Sequence, residues 1–180
     1  MKTVLLVDDQ ALFRKALASL LAGVGWQVVG EAATGSEAVE QVQKLKPDLV
    51  LMDIRMPGMN GLEATRAIKQ SGNSAKVVML TVSDEEDDLF EALKIGADGY
   101  MLKNVRPELM FELLQGVFLG EAAITPAVAV KILDEFFRRT RQAPAPAPSP
   151  LTPREKDILQ LVAQGSSNRD ISAALNIAEG

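Results

Sequence analysis

The sequence contains no cysteine. That excludes a disulfide framework, a thiol nucleophile and a Cys-ligated metal. It contains no histidine either, which removes imidazole acid–base catalysis, His metal ligands and a phosphohistidine. No uninterrupted apolar run approaches the roughly 18 residues a membrane span needs. The opening MKTVLLVDDQ has too short an apolar run before its two acids for a signal peptide. A cytoplasmic protein without a membrane partner is the expectation. A strongly basic region is missing as well. Residues 1–120 carry net −5, residues 121–150 net +1 and residues 151–180 net −1. No part has the charge footprint of a complete nucleic-acid-binding surface.

What is present is a chain of 180 residues, 47% hydrophobic and 24% charged. That composition belongs to a globular protein able to bury a core, not to a disordered one. The length suits one domain and part of a second.

Short apolar runs alternate with amphipathic stretches over residues 2–119. Strands are expected at 3–7 (TVLLV), 27–31, 48–52 (DLVLM), 76–80 (KVVML) and 98–102. Strands apolar on both faces, separated by helices, imply a parallel sheet covered on both sides. Thr34 with Glu37, and Asn60 with Glu63, have the spacing of helix N-terminal caps. Asp84 is placed to cap a helix with an acidic first turn, and Pro107 to open the next. Five such units and right-handed crossovers point to an α/β, flavodoxin-like doubly wound five-stranded sheet.

Thr125 and Pro126 begin another helical stretch, whose apolar positions are Val128, Ile132, Leu133, Phe136 and Phe137. The stripe Val128, Ile132, Phe136 is expected to pack within the molecule. APAPAPSP at 143–150 reads as a semi-rigid spacer. Thr152-Pro-Arg-Glu155 then has the spacing of a capping box. The expected domains are 1–120, a linker helix at 121–142, the linker at 143–150 and a helical segment at 151–180.

In a sheet of this kind ligands bind at the carboxyl ends of the strands. Those ends carry Asp8 and Asp9, Asp53, Thr81 and Lys103. Three convergent carboxylates repel each other and are costly to bury unpaired. A hard divalent cation such as Mg²⁺ resolves the conflict, takes oxygen ligands and accepts a phosphoryl oxygen. The lysine supplies a second positive charge and the threonine a hydroxyl donor. Asp53 is the candidate nucleophile of an aspartyl-phosphate. Two other chemistries fit this fold less well. A haloacid-dehalogenase-type phosphatase carries DxDx[TV] after the first strand, where VDDQ stands. In a flavodoxin, two aspartates there would repel the FMN phosphate.

The pieces VDD at 7–9, MDIRMPGMNG at 52–61, LT at 80–81 and GYMLK at 99–103 resemble the receiver domain of bacterial two-component response regulators. The resemblance implies that Asp53 is the phosphoacceptor. It implies Mg²⁺ held by Asp9, Asp53 and the Arg55 carbonyl, with Asp8 assisting through water. Lys103 would contact the phosphoryl group. Thr81 would be the switch hydroxyl and Tyr100 the aromatic that follows it inward. LTPREKDILQLVAQG and SNRDISAALNI at 151–177 resemble the first two helices of the LuxR-type helix-turn-helix of the NarL/FixJ regulators. In that family a third helix reads the major groove, and it would begin where this sequence stops. The chain as given is therefore expected not to read DNA sequence itself.

The implied function is a phosphorylation-activated response regulator. It would take its phosphoryl group from a sensor histidine kinase, form a homodimer, and control promoter DNA when the helix-turn-helix is complete. Its job would be switching, not enzymatic turnover. The alternative is a stand-alone receiver that works through protein contacts or as a phosphate sink.

Overall fold

The computed structural model describes residues 2–82 and 85–142, without the side chains of 139–142. The proline-rich stretch at 143–150, the helix-turn-helix segment and the Asp84 cap lie outside the described residues. Residues Met1–Phe136 form one compact unit, and the chain from Phe137 on forms another.

The elements are β1 (Thr3–Val7), α1 (Ala11–Gly23), β2 (Gln27–Ala32), α2 (Gly35–Leu45), β3 (Leu49–Met52), α3 (Gly61–Gln70), β4 (Lys76–Thr81), α4 (Glu86–Lys94), β5 (Gly99–Leu102), α5 (Pro107–Val117), β6 (Ala123–Ile124) and α6 (Pro126–Gln142). The sheet runs β2-β1-β3-β4-β5-β6, and each adjacent pair is parallel. This is the doubly wound architecture expected from the sequence, with a sixth strand in place of five. The extra strand has two residues and pairs Gly99 with Ala123 and Tyr100 with Ile124. Gly99 makes room for it, since a Cβ there would lie 2.5 Å from the Ala123 Cβ. Gly within a strand often marks such a close backbone approach.

Side chains alternate across the sheet with period two. Val4, Leu6, Leu49, Leu51, Val78, Leu80 and Met101 enter a core shared with Leu17 and Leu21 of α1 and with Met110, Leu114 and Val117 of α5. Leu5, Val7, Val50, Met52, Val77, Met79 and Tyr100 enter the opposite core, shared with residues of α2, α3, α4 and α6. The caps agree with their spacing. Asn60 and Glu63 make a complete capping box. The Thr34 hydroxyl accepts from the Glu37 N–H, while the Glu37 carboxylate turns to the Ala33 N–H at 2.8 Å.

One expected packing position differs. Val128 is buried and Ile132 is packed beside it, but Phe136 is 60% exposed and Glu135 is 6% exposed. The inward stripe of α6 therefore steps 128, 132, 135. Both i+3 and i+4 are helical neighbours, so spacing alone does not choose between 135 and 136.

Candidate functional site

Asp8, Asp53 and Lys103 are each held by one more rung of the parallel ladder beyond the strand proper. The Asp8 N–H donates to the Ala32 carbonyl at 3.1 Å, the Asp53 N–H to Val7 at 2.8 Å and the Lys103 N–H to Thr81 at 2.8 Å. The sheet thus fixes the backbone from which the functional side chains depart. Rigid elements of this kind position a site more closely than free loops do.

The side chains converge. Asp8, Asp9 and Asp53 each offer a carboxylate oxygen within 4.8 Å of the others. Asp8 and Asp53 are buried, and Asp9 is exposed at the rim. The Lys103 ammonium sits 2.6 Å from Asp8 Oδ2 and 2.8 Å from Asp53 Oδ2. Its side chain is 7% exposed. The remaining Asp8 oxygen accepts from the Gln10 N–H at 2.9 Å. The Arg55 N–H donates to Asp53 Oδ1 at 3.4 Å.

Burial pushes the Asp8 carboxyl above its ordinary value, and the bond from Lys103 offsets only part of that. Burial would lower the Lys103 ammonium, but its bonds to Asp53 and Asp8 outweigh it and hold the lysine above its ordinary value. The charges are thus mutually dependent. One ammonium pairs with two buried carboxylates and leaves negative charge over, and a third carboxylate stands beside them.

This donor set fits a hard divalent cation. It is all oxygen, it is anionic, and its exposed member opens the site to a cation that keeps several waters.

Thr81 is fully buried. It continues the face of Val77 and Met79, the face that Tyr100 occupies on the neighbouring strand, where Tyr100 pairs with Met79. The Tyr100 ring is 1% exposed, in the core shared with Leu89 and Val128. The Arg55 side chain leaves the site and pairs with Glu85 at 2.8 Å and Asp88 at 3.1 Å.

The loop after β3 is tightly seated. A Cβ at Gly61 would fall 1.9 Å from the Asp53 carbonyl oxygen, so only glycine lets α3 begin this close to Asp53. The Gly61 N–H donates to Ile54 O, and the Gly35 N–H at the head of α2 donates to Met59 O.

Sequence reasoning did not find the contribution of α1. Arg14 donates from Nη1 to the Asp8 carbonyl at 2.5 Å and from Nε to Glu31 at 2.9 Å. Phe13 places its ring centroid 4.7 Å from Lys103 Nζ. An arginine and a phenylalanine on an amphipathic helix give no signal that separates these contacts from ordinary surface and core positions.

Comparison with known proteins gives two family matches. Residues 4–115 match the response regulator receiver domain, and residues 149–180 match the bacterial regulatory proteins of the luxR family. The chain is 39% identical over 178 residues to the nitrate/nitrite response regulator protein NarL of Escherichia coli, covering 98% of this chain and 82% of that protein. It is 38% identical over 175 residues to the response regulator protein VraR of Staphylococcus epidermidis, covering 97% and 81%. Its fold matches the crystal structure of a LuxR-family two-component response regulator from Aurantimonas sp. with a TM-score of 0.71 and 31% identity, covering 75% of this chain and 97% of that one.

Proposed function

The chain belongs to the NarL/FixJ family of two-component response regulators, and from that premise we propose that Asp53 is its phosphoacceptor, served by Asp8, Asp9, Thr81 and Lys103. It is a phosphorylation-activated regulator of transcription, with a receiver domain and a LuxR-type DNA-binding region. Response regulators of this family are not enzymes in the ordinary sense. They act between a sensor kinase and DNA. Among the described residues no helix is long and apolar enough to cross a membrane.

The observation that carries the assignment is the convergence of three carboxylates with the Lys103 ammonium on Asp53. Asp9, Asp53 and the Arg55 carbonyl would hold Mg²⁺, with Asp8 acting through water. The ion would supply positive charge against the equatorial oxygens of the transferring phosphoryl group. An Asp53 oxygen attacks phosphorus, the bond from phosphorus to the donor breaks, and its electron pair leaves with the donor. Lys103 then trades a carboxylate for a phosphoryl oxygen and keeps a charge-assisted bond. Thr81 would supply the hydroxyl that closes over the new group, and Tyr100, already inside the core beside Met79, would be the aromatic that follows its movement. Water attacking the phosphorus in the same site breaks its bond to the Asp53 oxygen, releases inorganic phosphate and returns the free carboxylate. Two phosphorylated copies pair, and the population shift between inactive and active receivers sets the output.

The experiment is uptake of phosphate from acetyl phosphate, followed by intact mass. The unmodified chain is expected to gain one phosphoryl group with Mg²⁺ present and none with the metal chelated. Asp53→Asn is expected to gain none. Stoichiometric labelling of Asp53→Asn would remove the assignment.

A further inference from the structure

The Lys103 ammonium has three protons to place. Asp8 Oδ2 and Asp53 Oδ2 take it from one side, at 2.6 and 2.8 Å. On another side lies the half-buried ring of Phe13, with its centroid 4.7 Å from the nitrogen. No strand supplies this ring. It comes from the first turn of α1, and the next residue, Arg14, ties the same turn to the Asp8 carbonyl and to Glu31 of β2. The helix start is therefore anchored to the site by one polar and one aromatic contact.

We propose that Phe13 is a positioning residue for phosphoryl binding: its ring face is the seat that keeps the Lys103 ammonium in place while the acceptors around it change. This deepens the reading of the site given above and rests on it.

When Asp53 is modified, the lysine must change partners. Its two carboxylate bonds are directional, and at least one must break for Lys103 to reach a phosphoryl oxygen. A lysine side chain has four rotatable bonds and a strongly hydrated head. Freed from a carboxylate and left facing water, it would have many other positions to adopt. The attraction to a ring face is electrostatic and needs no particular proton. It persists while the hydrogen-bond partners are exchanged. The Lys103 side chain is only 7% exposed, and desolvation strengthens a cation–ring contact. The ammonium is thus presented to the incoming anion already oriented, which saves the cost of ordering it on binding.

The test uses the full chain and beryllofluoride, a phosphoryl stand-in, with binding followed by calorimetry at saturating Mg²⁺. Phenylalanines with one, two and three ring fluorines are introduced at position 13. Fluorine drains the ring face of negative potential and leaves packing nearly unchanged, so folding is preserved. Beryllofluoride affinity is expected to fall stepwise with fluorination, to about tenfold weaker for three fluorines, while Mg²⁺ affinity changes by less than about twofold. Phe13→Leu is expected to match the most fluorinated form, and Phe13→Tyr to restore most of the affinity. A flat fluorine series, or a Phe13→Tyr variant no better than Phe13→Leu, would overturn the inference. So would a parallel loss of Mg²⁺ affinity, because that would signal a distorted site. If the unmodified chain itself fails to bind beryllofluoride with Mg²⁺, the phosphoryl site falls along with the inference. Binding that ignores position 13 removes only the inference.

Discussion

Lys103 carries two duties in one side chain. In the resting molecule it pairs with Asp8 and Asp53, and in the proposed phosphorylated one it holds a phosphoryl oxygen. Its removal should therefore damage stability before any chemistry is attempted. Without the ammonium, Asp8, already pushed up by burial, loses the bond that lowers it. A carboxyl with a raised folded-state value stabilises the fold only at low pH, and loses that contribution as pH rises through the folded value. Lys103→Met is thus expected to unfold more easily near pH 7, by about 3 kcal/mol, with the deficit shrinking as pH falls into the carboxylate range. Added Mg²⁺ should recover part of it. Thermal melts across pH check this, and a deficit that is constant with pH would contradict the charge argument. At this scale the sequence was highly legible. Asp8, Asp9, Asp53, Thr81 and Lys103 stand at strand ends, where a parallel sheet leaves functional residues. The supporting residues Phe13 and Arg14 were hidden. Their types are common on any amphipathic helix, and only the seating of the first turn of α1 beside Asp8 and Lys103 gives them a role.

Among the elements, the loop between β3 and α3 shows how strongly backbone geometry is set by one small side chain. Asp53 N–H and Gly61 N–H are both engaged, and the space over Gly61 is filled by the Asp53 carbonyl. Gly61→Ala must push that carbonyl or the first turn of α3 aside. We expect a cost of about 3 kcal/mol in denaturant unfolding, together with slower uptake of phosphate from acetyl phosphate. A variant with unchanged stability and unchanged rate would show that the loop yields freely. The capping signals were readable because each cap is local, as the complete Asn60–Glu63 box shows. The two-residue β6 was not, because its pairing with β5 depends on the room left by Gly99 and not on any apolar run of its own. The α6 register failed for a related reason. Positions 135 and 136 are both compatible with helical spacing from 128 and 132, and the burial of Glu135 over Phe136 is decided by tertiary surroundings that the helix pattern does not contain.

Across the whole molecule the sheet has two differently charged edges. At the carboxyl edge two buried acids share one lysine, and Asp9 stands beside them. At the opposite edge the balance is reversed around Asp98, which accepts from Lys69 at 2.5 Å, from Lys76 at 3.0 Å and from the Val77 N–H at 2.9 Å. Burial opposes ionisation of Asp98, but the bonds from Lys69, Val77 and Lys76 win and hold its carboxyl below the ordinary range. A depressed folded-state value adds stability above the unfolded value and loses it as pH falls through the folded one. Asp98→Asn is accordingly expected to cost about 2 kcal/mol near pH 7, and the gap should close below about pH 4. A gap that persists in acid would assign the loss to packing instead. The amino edge thus stabilises the sheet at neutral pH, while the carboxyl edge keeps three carboxylates close together for use. The carboxyl edge is proposed to receive a phosphoryl group on one carboxylate, that of Asp53. The most direct measurement is to phosphorylate the chain with acetyl phosphate and Mg²⁺, reduce the acyl phosphate with borohydride, and map the reduced residue by peptide mass spectrometry. Reduction is expected at Asp53 and at no other acid. Reduction at Asp8 or Asp9, or no reducible acyl phosphate at all, would contradict it.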